Sequence, residues 1–328
     1  MILVTGGAGF IGSNLVASLL AADMGPVIVS DWLGNDGRWR NLANHLINDI
    51  IAPEALEAWL AGEGQALKGV LHMGAISSTT VSDGDAVLRQ NFQATKQLWQ
   101  FCTERSLPLV YASSAATYGD GQAGFDDDDS AEALAKLKPL NLYGWSKHWF
   151  DRWARDQADR GQPTPPFWAG LKFFNVYGPN EYHKEDMQSV VAKNHASVAA
   201  GETVKLFQSH YPDYEHGGQL RDFVYVQDCV DVALWLLRQQ PTSGLYNIGT
   251  GEARSYRALV EALATANNQP ARIDYIPMPE VLRPRYQYFT EARMTKLRQA
   301  GYNQPLSSIE DGVQDYVTTY LSQPSPYR

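Results

Sequence analysis

The chain has 328 residues, 44% of them hydrophobic and 19% charged, with a formal net charge of -9 at pH 7. That length can bury a large core in one big domain or two unequal ones, and the acidic balance argues against a nucleic-acid surface, which Lys and Arg dominate. Two cysteines, Cys102 and Cys229, cannot build a disulfide framework, no basic leader precedes the first apolar stretch, and no apolar run approaches the ~20 residues of a membrane span, so the expectation is a cytoplasmic protein.

In chain order, Ile2–Thr5, Val27–Val29, Gly69–His72 and Leu109–Tyr111 read as buried strands. Between them Gly12–Ala22, Pro53–Ala61 and Asp85–Glu104 carry helical apolar spacing. Asn141–Arg160 reads as a long helix and Phe167–Phe174 as another strand. Alternation of this kind predicts an α/β fold, a doubly wound parallel sheet covered by helices on both faces. Residues 1–170 are expected to form a nucleotide-binding core and 171–328 mainly a smaller C-terminal substrate lobe, with some segments returning to the core. Asp126-Asp127-Asp128-Asp129 reads as a solvated loop ahead of a helix N-terminus, without the carboxylate spacing of a metal site.

The first strand runs into Gly6-x-x-Gly9-x-x-Gly12, followed at once by helical spacing. Such a turn needs glycine for tightness, for close approach of a pyrophosphate, and for packing of helix on sheet. The helix amides then receive the phosphate charge, which makes this a Rossmann-type dinucleotide site. Asp31, at the end of the second strand, is placed to hold the adenosine ribose, while Arg38 and Arg40 in the following loop offer a partner for a 2′-phosphate.

Tyr143 and Lys147 lie four residues apart, so they share one face of the long helix. Proline at 139 and asparagine at 141 place Tyr143 near the helix's positive end, and both that end and Lys147 favour the phenolate a general base requires. Ser114, at the carboxyl end of a parallel strand, faces the ligand crevice and can hydrogen-bond an alcohol undergoing oxidation. His72 and His148 read as strand-end and helix-surface residues, and no histidine spacing suggests zinc.

The glycine turn, Ser113-Ser114-Ala115-Ala116-Thr117-Tyr118-Gly119, Tyr143 with Lys147, and Asn175-Val176-Tyr177-Gly178-Pro179 together resemble the extended short-chain dehydrogenase/reductases. Later segments narrow the resemblance to the ADP-L-glycero-D-manno-heptose 6-epimerases. These are His183-Lys184, Lys205-Leu206-Phe207, Arg221-Asp222-Phe223-Val224-Tyr225-Val226, Asn247-x-Gly249-Thr250-Gly251 and Arg285-Tyr286-Gln287-x-Phe289-Thr290. The resemblance implies a homo-oligomer, for which the family suggests a pentamer, working on lipopolysaccharide core precursors. It also implies bound NADP (NAD is the alternative) that takes hydride from C6 of an ADP-heptose and returns it to the opposite face.

By the same resemblance Ser114, Tyr143, Lys147 and Lys184 are catalytic, Lys184 serving the second face. Gly6, Gly9, Phe10, Ile11, Gly12, Asp31, Trp32, Arg38, Ala75, Asn91 and Val176, with Tyr143 and Lys147, would hold the dinucleotide. Ser77, Asn175, Lys184, Asp186, Lys193, Phe207, Arg221 and Tyr286 would hold the substrate. Simpler readings stand beside some of these: Lys184 as a surface lysine, Arg221 as an ion pair with Asp222, Asn91 as a helix residue bonding nearby backbone. Trp32, Pro53 and the long Gln208–Leu220 segment depart from the family pattern. The alternatives are a UDP-hexose 4-epimerase-like enzyme or a non-catalytic NAD(P)-sensing module. A dehydratase is disfavoured because Ala115 and Ala116 stand where elimination needs an Asp-Glu pair.

Overall fold

The computed structural model describes residues 1–280, 283 and 286–328. Its strands are β1 (Ile2–Thr5), β2 (Val27–Ser30), β3 (Asp49–Ile51), β4 (Gly69–His72), β5 (Leu109–Ser114), β6 (Trp168–Phe173), β7 (Asn175–Tyr177), β8 (Val204–Phe207), β9 (Leu220–Tyr225), β10 (Gly244–Ile248), β11 (Ala253–Ser255) and β12 (Ile273–Ile276). Helices α1 (Phe10–Ala21), α2 (Leu56–Gly62), α3 (Gly84–Val87), α4 (Ala94–Glu104), α5 (Ala131–Lys136) and α6 (Leu142–Asp159) accompany the first strands. Helices α7 (Val190–Ala199), α8 (Val226–Gln239), α9 (Tyr256–Ala266), α10 (Thr295–Gln299) and α11 (Ile309–Asp315) follow.

Strands pair in parallel in the order β3-β2-β1-β4-β5-β6-β10, a Rossmann-type sheet whose direction of winding reverses between β1 and β4. The alternation of side chains along each strand explains the two covered faces. Ile2 and Val4 pack with Leu15, Leu19 and the apolar stripe of α8, whereas Leu3 packs with Leu98 and Trp99 of α4 and Phe150 of α6. A crevice must open at the carboxyl ends of β1 and β4, where the helices diverge. Above it stands a smaller assembly of β7-β9-β11 and β8-β12 with α7, α9 and α11 around Phe223, Tyr225 and Leu263.

Several local expectations need correction. The 85–104 helix is continuous but contains a π-turn over Leu88–Gln93, which shifts the register around Asn91. His148 is not on the helix surface: it is 6% exposed on the packed side of α6. The four aspartates are not a solvated loop throughout. Asp127 is buried and accepts from the Asn247 amide at 2.8 Å, and Asp129 accepts from the Leu245 amide at 2.9 Å. Alternate carboxylates thus cap alternate N–H groups of the edge strand β10, while Ser130 caps α5. Both cysteines are buried and free, and no described helix is long and apolar enough to cross a membrane.

Candidate active site

The Gly6–Gly12 turn is fixed by contact. A Cβ on Gly12 would stand 2.1 Å from the Gly6 carbonyl, and Gly6 itself has φ +64° with the Gly74 backbone 2.5 Å from its missing Cβ. No side chain in this region can replace either glycine. The N-terminus of α1 carries no side-chain cap and no acid in its first turn, so its amides open into the crevice ready for an anion. Asp31 holds the turn from the other side, its carboxylate accepting from the Ala8 amide at 2.9 Å. Burial raises the Asp31 pKa, and the Ala8 N–H and then the Arg38 charge oppose that rise.

A cleft of about 1790 Å³ runs from this turn along the strand ends. Its wall brings together Gly6, Gly9, Phe10, Ile11, Gly12, Asp31, Trp32, Arg38, Ala75, Ser77, Ser114, Tyr143, Lys147, Asn175, Val176, Lys184 and Arg221. Residues from both halves of the chain therefore share one cavity.

Other expected residues stand outside that wall. Asn91 is fully buried, accepts from the Ile76 amide, and donates to the Ile76 carbonyl and to Ser146, so it holds the 75–76 backbone from behind. Phe207 and Tyr286 form a second layer: Tyr286 lies 5.3 Å from the Arg221 guanidinium and edge-on to Phe207. Lys193 is exposed and donates to the Asp186 carbonyl. Arg40 lies on the outer Trp39 ring. Arg285 lies outside the described residues. Trp32 donates to Glu54 at 2.7 Å beside Pro53, so a carboxylate stands near the position where a cation would help to hold a phosphate.

Arg221 is 7% exposed and does not pair with its neighbour Asp222. It donates to the Leu220 carbonyl at 2.8 Å and to the Gln287 carbonyl, between the rings of Tyr256 and Tyr286. Asp222 instead accepts from the amides of Thr250, Gly251 and Ala292. Arg38 is held by Asp36 at 2.5 Å, which pulls the Asp36 carboxyl down to about 2, and it lies 3.9 Å from Asp31.

Along the same cleft, Asn141 caps α6 by accepting from Gly144 at 2.8 Å and so sets Tyr143 in the first turn. The chain's own surroundings do not lower the phenol as expected. Burial raises it, the Ser114 hydroxyl pulls it partly back, and the Asp151 charge pushes it up again. Lys147 is 3% exposed, and burial brings it down to about 8 against the opposing charge of Asp151. Burial likewise lowers Lys184, with Glu181 acting in the other sense.

Beneath these groups lies a polar network that sequence reasoning missed. Asp151 accepts from Ser113 at 2.6 Å, from Tyr111 at 3.1 Å and from the Lys172 ammonium at 3.1 Å. Lys172 also donates to Thr117, whose hydroxyl donates to the Ser114 carbonyl. Ser114 is thereby held at its own carbonyl and through its neighbour. The available signals were a lone lysine inside the apolar run Trp168–Phe174 and an acid one helical turn after Lys147. His72 is locked in the neutral form between Thr5 and Thr95 and pushed down to about 3 by burial, which leaves it a structural residue.

The profile of the NAD dependent epimerase/dehydratase family matches residues 2–249. A curated protein of Fusobacterium nucleatum subsp. nucleatum, named ADP-L-glycero-D-manno-heptose-6-epimerase, is 45% identical over 335 residues, with all of both chains covered. The crystal structure of the Helicobacter pylori ADP-L-glycero-D-manno-heptose-6-epimerase superposes with a TM-score of 0.81 at 30% identity, covering 97% of this chain and 95% of that one. The Thermus thermophilus UDP-glucose 4-epimerase complex with NAD gives 0.70 at 27% identity, over 95% and 96% of the two chains.

Proposed function

The chain belongs to the NAD dependent epimerase/dehydratase family, and from that membership we infer the reaction it performs and the role of each group in the cleft. It is an isomerase that interconverts ADP-D-glycero-D-manno-heptose and ADP-L-glycero-D-manno-heptose at C6. The observation that carries this reading is that Tyr143 and Lys184, from separate parts of the fold, line the same cavity. Inversion of one carbon asks for an acid/base group on each of its faces.

The residues divide the work between binding and proton transfer. Uncapped amides of α1 hold the dinucleotide's pyrophosphate and Asp31 holds its ribose. When bound, the oxidised nicotinamide supplies the hydride acceptor and a positive charge that favours phenolate. Tyr143, aligned by Ser114, takes the proton of the C6 hydroxyl as that carbon loses hydride to give a ketone. With the ketone's other face presented, Lys184 gives a proton to the oxygen as hydride comes back. Arg221 binds the diphosphate bidentately. The second-layer rings of Phe207 and Tyr286 support it. We take the dinucleotide as NADP, since Arg38 faces the cleft and its guanidinium suits a 2′-phosphate, in competition with Asp36. A homo-oligomer is part of the same reading.

The test is to incubate the purified protein, without added cofactor, with ADP-D-glycero-D-manno-heptose and resolve the two epimers, while releasing and identifying the bound nucleotide. Epimer formation with stoichiometric bound NADP supports the reading. Turnover of UDP-hexoses alone would overturn the substrate assignment. The Tyr143→Phe protein is expected to lose ~100-fold or more in kcat, the usual scale of general acid/base assistance.

A further inference from the structure

Lys184 poses a placement problem. Its ammonium makes no ion pair among the described residues. The nearby acid, Glu181, is already occupied by the amides of Gly178 and Ser189 and by the hydroxyls of Ser189 and Tyr316. The contact seen at Lys184's charged end is the face of Phe10, 4.9 Å away. A flexible four-carbon side chain held only by a ring must take its position from its backbone. That backbone is itself unusual, with Asn180 at φ +72° and Glu185 at φ +47° on either side of Lys184. A left-handed glutamate persists only where the surroundings over-determine it.

We propose that Asn41 and His183 form a positioning pair that fastens the Lys184 segment to the phosphate-binding turn. Asn41 is 1% exposed, and its amide group donates to the Ala8 carbonyl at 2.8 Å and meets His183 Nδ1 at 3.3 Å. An amide nitrogen has two N–H groups, and both are used, so His183 must accept at Nδ1 and carry its proton on Nε2. Ala8 is also the residue whose amide donates to the ribose-side carboxylate of Asp31. One buried asparagine therefore connects the dinucleotide turn directly to the residue before Lys184, and Phe10 of the same turn receives the ammonium. Both attachments of Lys184 lead to one structure, so the acid/base group and the dinucleotide are set in a single frame. Burial and the Arg38 charge keep His183 neutral, with Asp36 opposing, which preserves the acceptor.

This inference rests on Lys184 being the second acid/base group, and the test separates the two. The holoenzyme as purified is compared with His183→Ala, His183→Asn, Asn41→Ala, Asn41→Ala/His183→Ala and Lys184→Met for kcat, KM and bound dinucleotide. His183→Ala is expected to lower kcat by ~10- to 100-fold, the scale of a misplaced catalytic group, with KM and dinucleotide content changed by less than about threefold. His183→Asn, whose side-chain oxygen can accept where Nδ1 did, recovers most of the loss. The double variant is no slower than Asn41→Ala alone, since that change already breaks the link to His183 along with the bond to Ala8. Wild-type kcat in His183→Ala, multiplicative loss in the double variant, or loss that tracks dinucleotide release would each overturn the pair. A fully active Lys184→Met overturns the acid/base reading itself, whereas an inactive Lys184→Met beside an unimpaired His183→Ala overturns the pair alone.

Discussion

Lys147 is a cation that its surroundings disfavour, because burial lowers it to about 8 even with Asp151 nearby. Its folded value lies below its unfolded one, so between those values the folded chain binds fewer protons and stability rises with pH. Below pH 8 the buried ammonium costs on the order of 3 kcal/mol, since each tenfold loss of proton affinity is worth about 1.4 kcal/mol. Lys147→Met should therefore be inactive yet resist urea better than the wild type at pH 7, with the gain fading toward pH 10. Equal or lower stability at pH 7 would show that Lys147 is held by a favourable interaction instead. His148 obeys the same sign: burial lowers it to about 4, and its Nδ1 has no hydrogen-bond partner. The stability of the neutral ring is fully present above its unfolded value and is lost as pH falls through the window between them. His148→Phe should gain on the wild type by about 2 kcal/mol more at pH 5 than at pH 7. Urea denaturation at the two pH values measures the difference.

At the scale of elements, the acidic segment shows why some parts of the site were legible and others were not. The glycine turn, Ser114 and the Tyr143/Lys147 pair are local patterns within a few neighbouring residues, and the fold brings them to one cleft. Asp127 meets its partner 120 positions away, and no spacing in the sequence announces that alternate carboxylates will cap alternate amides of β10. Four adjacent acids look like a solvated loop until the edge they cover is known. Asp151 and Lys172 are hidden for a similar reason, since each becomes meaningful only when β6 places them together. The cap carries a testable asymmetry. Burial raises Asp127 to about 6, so its contribution is present below its unfolded value and is lost as pH rises through 6. Asp127→Asn keeps an acceptor for the Asn247 amide and removes the buried charge, so at pH 7 it should melt no lower than the wild type. Asp127→Ala leaves that amide unpaired and should cost about 1–3 kcal/mol. It should also aggregate sooner on heating, because an uncovered edge strand invites pairing. If Asn and Ala behaved alike in calorimetry and light scattering, the edge-cap role would fall.

For the whole molecule, alternating strands and helices were enough to foresee the parallel sheet, but not the way in which the later half is joined to it. β10 enters the sheet beside β6 only after the chain has passed through β7, β8 and β9, and residues 326–328 cross back over the first helix. Arg328 donates to Ser18 at 2.7 Å and to Asn14 at 3.2 Å on α1, while its own amide donates to Asn180 at 3.0 Å. Asn180 in turn donates to Ser13, and Asn14 to the Pro179 carbonyl. The same few side chains thus tie the first helix to the segment that leads into Lys184. Such a seam sums several bonds worth about 1 kcal/mol each, and its guanidinium members are the stronger ones. Arg328→Ala should therefore lower stability by about 1–3 kcal/mol in urea, since the polar partners of its guanidinium lose their donor together. The loss should be felt unevenly: hydrogen exchange should quicken across Pro179–Gln188 while the amides of β1 and β4 keep their protection, because the sheet does not depend on the seam. Uniform quickening over the sheet as well would mean that the two halves unfold as one unit, and that residues 326–328 act on global stability rather than on the Pro179–Gln188 segment.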